Sequence, residues 1–439
     1  MTRDERQDLA ISLYRKSNGR GTFNHCTGFG KTTEAKKIVN KIKEVHGDID
    51  YIVCVPTSPL KDQWEDRLDK DNHKVITIQW LLYQIKHGII PKDTKIKCHF
   101  LVIDEIHKFA ADQFSLIFEY IEYKFILGLT ATYERLDGKQ EIIDRFCPVI
   151  DIVTLEEARR NGWVADFTEY NWGIELSEEE RKEYNELNER IDKHFPFFNT
   201  DYQLMISCCS AYGANNFIRI YDPEVIIEGK QLVDKSLVEY VTSKANVGKE
   251  LFDRRSKILN DSPTKIDAVI EAVHYLKMKT VTFGLTINTA DVITDKLKPI
   301  AVSYHSSIPT EVMMLPNKKG IIKPKKVGGK TRQKMVLDDF DKDKYQVMNT
   351  AKKADLGLDV AGLRAAIVYA ATEDSGVHDQ RRGRITRKEE ITVDGQVVWK
   401  EAIIVNIYFK NTKDEYKLKH RQKNSFRIRN ISRIDQIEI

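Results

Sequence analysis

Within eight residues, Cys26-Thr27-Gly28-Phe29-Gly30-Lys31-Thr32-Thr33 brings together two glycines, a lysine and three hydroxyls. Gly28 and Gly30 allow successive backbone N–H groups to turn toward one centre, which suits an anionic polyphosphate at a helix N-terminus. Lys31 supplies a point charge for β and γ phosphates, and Thr32 a hydroxyl for Mg2+. The bland alternative is a glycine turn running into a helix with a solvated lysine. A second set is Asp104-Glu105-Ile106-His107, which ends the run His99-Phe100-Leu101-Val102-Ile103. Carboxylates at the C-terminal edge of a strand buried on both faces lie where an open parallel sheet takes its ligand. Asp104 can hold Mg2+, directly or through water, and Glu105 can orient an attacking water. Acids also begin helices for capping reasons, so the weight comes from their distance behind the glycine loop.

The flanking residues have to position these groups. Gly21–His25 reads as a short strand, and Thr33–Val45 as a helix with Ala35, Ile38, Val39, Ile42 and Val45 at helical spacing. A first helix over residues 4–17 presents Leu9, Leu13 and Tyr14 on one side, with Gln7 on its opening turn. Tyr51–Pro56 is a second strand, ending at Thr57-Ser58-Pro59, where a helix carrying Leu60, Trp64 and Leu68 begins. Val75–Ile78 is a third strand and Phe125–Leu129 a fifth, after the acidic one. Strands alternating with helices predict a parallel sheet.

At 439 residues the chain is too long for one core, and two or three domains are expected. It is 41% apolar and 31% charged, with no run approaching a membrane span. The start, Met1–Lys16, reads as a charged amphipathic helix and not a leader, so a cytoplasmic location is expected. Six cysteines form no C-x-x-C pair and read as reduced thiols. The net charge is only +4, but eight Lys or Arg and no acid fall between Pro316 and Lys334, and nine against two between Lys410 and Arg433. Such stripes suit a polyanion touched by particular surfaces, although each alone reads as a solvated face.

The fifth strand leads into Gly128-Leu129-Thr130-Ala131-Thr132-Tyr133-Glu134-Arg135-Leu136-Asp137-Gly138. With the glycine loop and Asp104–His107, this set resembles superfamily 2 helicases. The G-L-T-A-T-x-x-R-x-D-G form is similar to the XPB-like group, which includes phage branch-migration and fork-remodelling helicases. Tyr133 stands where that family usually has proline. The resemblance extends to Gln380-Arg381-Arg382-Gly383-Arg384-Ile385-Thr386-Arg387, which matches the sixth motif, Q-R-x-G-R-x-x-R.

The resemblance implies an α/β fold of two RecA-like parallel-sheet motor domains, with ATP and Mg2+ as cofactors. It implies that Thr27, Gly28, Phe29, Gly30, Lys31, Thr32 and Thr33 hold the nucleotide and Gln7 reads adenine. Thr32 and Asp104 would hold the metal. Thr130 and Thr132 would couple hydrolysis to movement, as would Gly357 and Asp359 of a fifth motif in Thr350–Asp359. Arg384 and Arg387 would reach the γ phosphate from the second domain, with Gln380 near the attacking water and Lys31, Asp104 and Glu105 opposite. Nucleic-acid contacts would come from Pro56, Thr57, Phe283, Gly284, His305, Ser306, Thr350 and Lys352.

The expected organisation is an ATP-binding domain over 1–155, a linker and helical insert over 156–262, and a second motor domain over 263–439. In the insert, Ser177 and Glu180 form a capping box, and Lys244, Lys249, Arg254, Arg255 and Lys257 add charge. The insert is read either as a grip on nucleic acid or as a packing brace. Pro316–Lys334 is expected to be a mobile basic loop, and Ile391–Trp399, turning at Asp394-Gly395, a hairpin read as an extension of the sheet or else as a pin that parts strands with Trp399 stacking on a base. The partner is forked or branched DNA, with RNA or a non-unwinding ATP-switched scaffold as alternatives. A monomer is expected, with no membrane partner.

Overall fold

The computed structural model describes every residue except 69–72, 92–93, 111–113, 134–139, 222–225, 228–229, 232–234, 317–321, 352–359, 371–377, 379–380, 384, 394–395 and 423–426. The first lobe opens with α1 (Arg3–Lys16), whose Thr2 and Glu5 form a reciprocal cap. β1 (Arg20–His25), α2 (Lys31–His46), β2 (Tyr51–Val55), α3 (Ser58–Arg67), β3 (His73–Thr77), β4 (Ile96–Asp104), β5 (Ile121–Thr130) and β6 (Val149–Val153) follow. The strands lie in the order β3-β2-β4-β5-β1-β6 and every pairing is parallel. Their run of buried side chains, complete in β2, is what a sheet covered on both faces requires. The buried face of α1 is Arg6, Gln7, Ala10, Ile11 and Tyr14, while Leu9 is exposed. This rotation away from the expected Leu9 face follows from Arg6, which is drawn inward by an ion pair described below.

The second lobe contains β7 (Asp166–Ile174), β8 (Thr280–Gly284), β9 (Ala301–Tyr304), β12 (Val347–Ala351), β13 (Ala365–Val368), β16 (Glu401–Phe409) and β17 (Ile428–Ile431). Their order is β9-β12-β8-β13-β16-β7-β17, again parallel throughout. Residues 166–174, expected in the linker, therefore form an interior strand of the second sheet. The basic C-terminal stretch contributes β17, which pairs with β7 at the edge of the sheet.

Two of the longer two-stranded ribbons stand apart from the large sheets. β10 (Glu311–Pro316) pairs antiparallel with β11 (Ile322–Val327), and the helix Gly329–Asp341 follows, where a mobile loop was expected. β14 (Glu390–Val393) pairs with β15 (Gln396–Trp399) as a sheet of its own and not as an extension of the larger one.

Between β7 and β8 lie the helices α4 (Glu178–His194), α5 (Ala211–Tyr221) and α6 (Lys235–Asn260), then α7 (Pro263–Leu276). The capping box of α4 forms as expected, with Ser177 and Glu180 exchanging backbone hydrogen bonds. Glu180 also accepts from Ser262 and Thr264, so the two ends of the insert are tied together. Of its cations, Arg254 pairs with Glu183, Lys249 with Asp253, and Arg255 donates to Asn188. Among the described residues no helix is long and apolar enough to cross a membrane.

α7 is anchored by Lys265, whose buried ammonium pairs with buried Asp414 on the helix Lys413–Arg421. Removing one partner leaves the other charge without compensation in the interior. Lys265→Ala should therefore cost about 3–5 kcal/mol in chemical unfolding of the second lobe, and the double change Lys265→Met with Asp414→Leu markedly less.

Candidate nucleotide site between the lobes

β1 delivers the glycine loop at the C-terminal edge of the first sheet, and α2 starts at Lys31. Gly28 and Gly30 have φ of 84° and 109°, a region that side chains with a Cβ rarely adopt. At Gly30 a Cβ would also lie 2.7 Å from Gln7 Nε2, so that side chain would have to move. Gln7 Nε2 donates to the Phe29 carbonyl (3.0 Å). Its side chain thus braces the loop from behind. Phe29 is fully buried, packed on His25 and Trp163, and offers only its backbone to the loop. Lys31 Nζ donates to the His25 carbonyl (2.9 Å).

The acidic pair sits across the cleft at the end of β4. Asp104 accepts from Trp64 Nε1 (2.8 Å) and from the Glu105 amide (3.0 Å). Burial, and then the neighbouring Glu105 charge, push the Asp104 carboxyl above its ordinary range. Glu105 has φ of 51°, a left-handed conformation unusual for a residue with a side chain, and strain of this kind clusters at functional sites. His107 Nδ1 lies 2.8 Å from Thr130 Oγ1 and 3.5 Å from Glu105 Oε2. Thr130 in turn donates to the Thr132 carbonyl (2.8 Å). A short polar relay therefore links the acid pair to the end of β5.

The second lobe closes the cleft. Gly383 lies against the glycine loop so tightly that a Cβ there would fall 1.4 Å from Thr27 Oγ1. The resulting cavity, about 500 Å³, includes Gly28, Gly30, Lys31, Thr32, Thr33, Asp104, Glu105 and Arg387 in its lining. That volume lies in the usual range of small-ligand sites. Arg3, Lys36, Arg67 and Lys388 also reach it. Arg387 is held down to about 10, first by burial and then by the positive charge of Arg67, against the pull of Glu389. Guanidinium groups from both lobes thus face one space, an arrangement that a polyanion would stabilise. Thr32 and Asp104 are hard oxygen donors in its lining, a donor set whose chemistry fits Mg2+.

Arg3, Gln63, Trp64 and Arg67 were not anticipated as site residues. Trp64 was read only as apolar, although its indole N–H serves Asp104. Nor were the four residues behind the loop anticipated. Arg6 makes two bonds to Asp151 (2.7 and 2.8 Å), and His25 bridges Asp151 (2.9 Å) and Glu34 (3.0 Å).

The expected nucleic-acid contacts fare unevenly. Phe283 and Gly284 are buried, and buried Thr350 donates to the Thr282 carbonyl (2.6 Å). His305 is buried against Asp291 (3.1 Å), Pro56 is buried and Thr57 half-buried, leaving Ser306 exposed. Gln380, Arg384, Lys352, Gly357 and Asp359 lie outside the described residues.

Two outcomes follow from this geometry. Gly383→Ala should lower ATP turnover about tenfold or more by wedging the seam open, measured as steady-state phosphate release. At His25, burial opposes the charged ring, but the hydrogen bonds it donates to Asp151 and Glu34 outweigh it and raise the pKa. Its stabilising contribution is therefore complete below about pH 6.5 and is lost as pH rises through the higher folded-state value. Asp151 is held near about 2 by its bonds to His25 and Arg6, which outweigh burial, so its contribution is lost only in strong acid. The stability gap between the parent and His25→Gln, measured by thermal unfolding, should be widest in mild acid and narrow as the solution becomes alkaline.

Comparison with known proteins accords with this site. Residues 67–135 match the family described as "Type III restriction enzyme, res subunit". The chain is 25% identical over 432 residues to the DNA 3'-5' translocase XPB2 of Sulfurisphaera tokodaii, spanning 95% of this chain and 83% of that protein. It is 29% identical over 163 residues to the putative ATP-dependent RNA helicase L396 of Acanthamoeba polyphaga mimivirus, 34% of this chain and 30% of that one. In fold it is similar to the Hef helicase domain of Pyrococcus furiosus (TM-score 0.52, 16% identity, 95% and 97% of the two chains). It is likewise similar to S. cerevisiae Dbp5 bound to RNA and ADP BeF3 (TM-score 0.52, 12% identity, 97% and 89%). Two parallel-sheet α/β lobes of RecA-like fold with these motifs at their junction, the family match and the relative spanning nearly the whole chain together support an ATP-hydrolysing superfamily 2 helicase similar to the XPB-like group.

Proposed function

We propose that the protein is a DNA translocase that remodels forked or branched DNA, hydrolysing ATP in the cleft between its lobes and working as a cytoplasmic monomer. The observation that carries the reading is the meeting of Arg387 with Lys31 and Arg67 in one cavity, cations from two lobes converging on one anion-sized space. Lys31 neutralises the β and γ phosphates from one side. Arg387 offsets the charge that gathers on the departing γ-phosphoryl from the other. Glu105 orients the attacking water. Thr32 and Asp104 would hold Mg2+, which supplies further neutralisation of the phosphate oxygens. Thr130 and Thr132, joined to Glu105 through His107, carry the state of the site toward the edge of the first sheet. Because Arg387 and Gly383 belong to the second lobe, cleavage of ATP removes what bridges the halves, and their separation moves the track. Residues 1–155 serve as the nucleotide lobe and 263–439, with strand β7, as its partner.

DNA is preferred because the relative spanning nearly the whole chain is a DNA translocase. An RNA substrate is the competing reading, since the mimivirus relative is described as an RNA helicase. ATPase rates measured with forked DNA, a four-way junction, single-stranded DNA and RNA separate the two. Forks and junctions should stimulate most. Stimulation by RNA alone would overturn the DNA assignment, and Lys31→Ala should abolish turnover on every substrate while still binding DNA.

A further inference from the structure

Where the chain crosses from the first lobe into the second, residues 162–169 meet described residues in and beside the arginine motif at four points. Lys388 Nζ donates to the Gly162 carbonyl (2.8 Å), and the Ala165 amide donates to the Thr386 carbonyl (2.8 Å). The Phe167 ring lies 5.8 Å from the Arg382 guanidinium. The Glu169 carboxylate, fully buried, lies 3.1 Å from His378 Nε2 and 3.8 Å from Arg382 Nη1. Phe167 and Glu169 alternate along β7 and so share one side of it, and with Gly162 and Ala165 just before the strand they form a rail against Lys388, Thr386, Arg382 and His378. On its other flank the same carboxylate accepts from Asn406 Nδ2 (2.8 Å) and Gln422 Nε2 (2.6 Å). It is thereby fixed to β16 and to the end of the helix Lys413–Arg421.

We propose that Glu169 is a positioning residue of the ATPase, which locks the arginine motif against the interlobe rail so that Arg387 enters the cleft at a fixed depth. Its partners favour the charged form strongly enough to outweigh burial, and its pKa lies well below the carboxylate range. Glu169 touches neither the cavity nor the glycine loop, so it acts on turnover and not on nucleotide capture. A residue that only neutralised buried cations would instead weaken the fold without separating these two quantities. The inference rests on Arg387 being the group that reaches the phosphate.

Steady-state ATP hydrolysis by the full chain carrying Glu169→Gln, Arg387→Ala or both tests it. Glu169→Gln should lower kcat about 10²-fold, the scale of a 1 Å misplacement, with KM within about twofold of the parent. The double variant should be no slower than Arg387→Ala alone. Should the buried cations keep Glu169→Gln from folding, Glu169→Asp retains the charge one methylene short, and the same fall in kcat at unchanged KM is expected. Losses that multiply in the double variant, or kcat and KM that worsen together, would overturn the proposal. Arg387→Ala turning over at the parent rate would overturn the finger assignment itself, and a Glu169→Gln loss persisting in that background would overturn the route through Arg387.

Discussion

Positive charges carried by two separate sheets converge on one cavity, and the rest of the structure depends on that convergence. Arg67 and Arg387 repel one another across it, and this repulsion adds to burial in holding the Arg387 pKa down. Such repulsion would push the lobes apart if nothing opposed it. What opposes it is packing. Phe29, Trp163 and Val164 share a hydrophobic core with Phe167, Phe283 and Ile385, so the junction is apolar beneath and cationic above. An anion in the cavity turns repulsion into attraction at both walls, and breaking that anion in two weakens it.

The surroundings keep this balance from being absorbed locally. Behind the glycine loop, Arg6, Asp151, His25 and Glu34 form a buried chain of alternating charge that immobilises the end of β1. In front, Trp64 holds Asp104, and Glu105 is kept in a strained conformation beside His107. With both walls stiff, a change in the cavity has one soft coordinate left, the separation of the lobes. Closed, packed junctions of this kind favour discrete arrangements over gradual deformation.

Much of this was legible in the residues. The glycine loop, the acid pair and the arginine octapeptide each carry their signal within a few consecutive positions, and buried parallel strands read as unbroken apolar runs. What escaped was set by partners distant in the chain. Arg6 turns inward because Asp151, 145 positions away, accepts two hydrogen bonds from it, and no local pattern announces that. The strand Asp166–Ile174 alternates no more tellingly than a linker would, and only its pairing with Glu401–Phe409 assigns it to the second sheet. Phe283 and Thr350 mark strand ends at the expected edge, yet a motif specifies the backbone edge and not which way a side chain points. The ribbon from Glu311 to Val327 was hidden because lysine-rich segments resemble loops until their cross-strand register is known.

The central claim is that the nucleotide joins the lobes and its hydrolysis releases them. Pulsed electron spin resonance between labels on exposed Glu44 of the first lobe and exposed Glu271 of the second measures that separation directly. The account predicts one narrow, short distance with a non-hydrolysable ATP analogue, and a longer, broader distribution with ADP or no nucleotide. Identical distributions in all three conditions would contradict it.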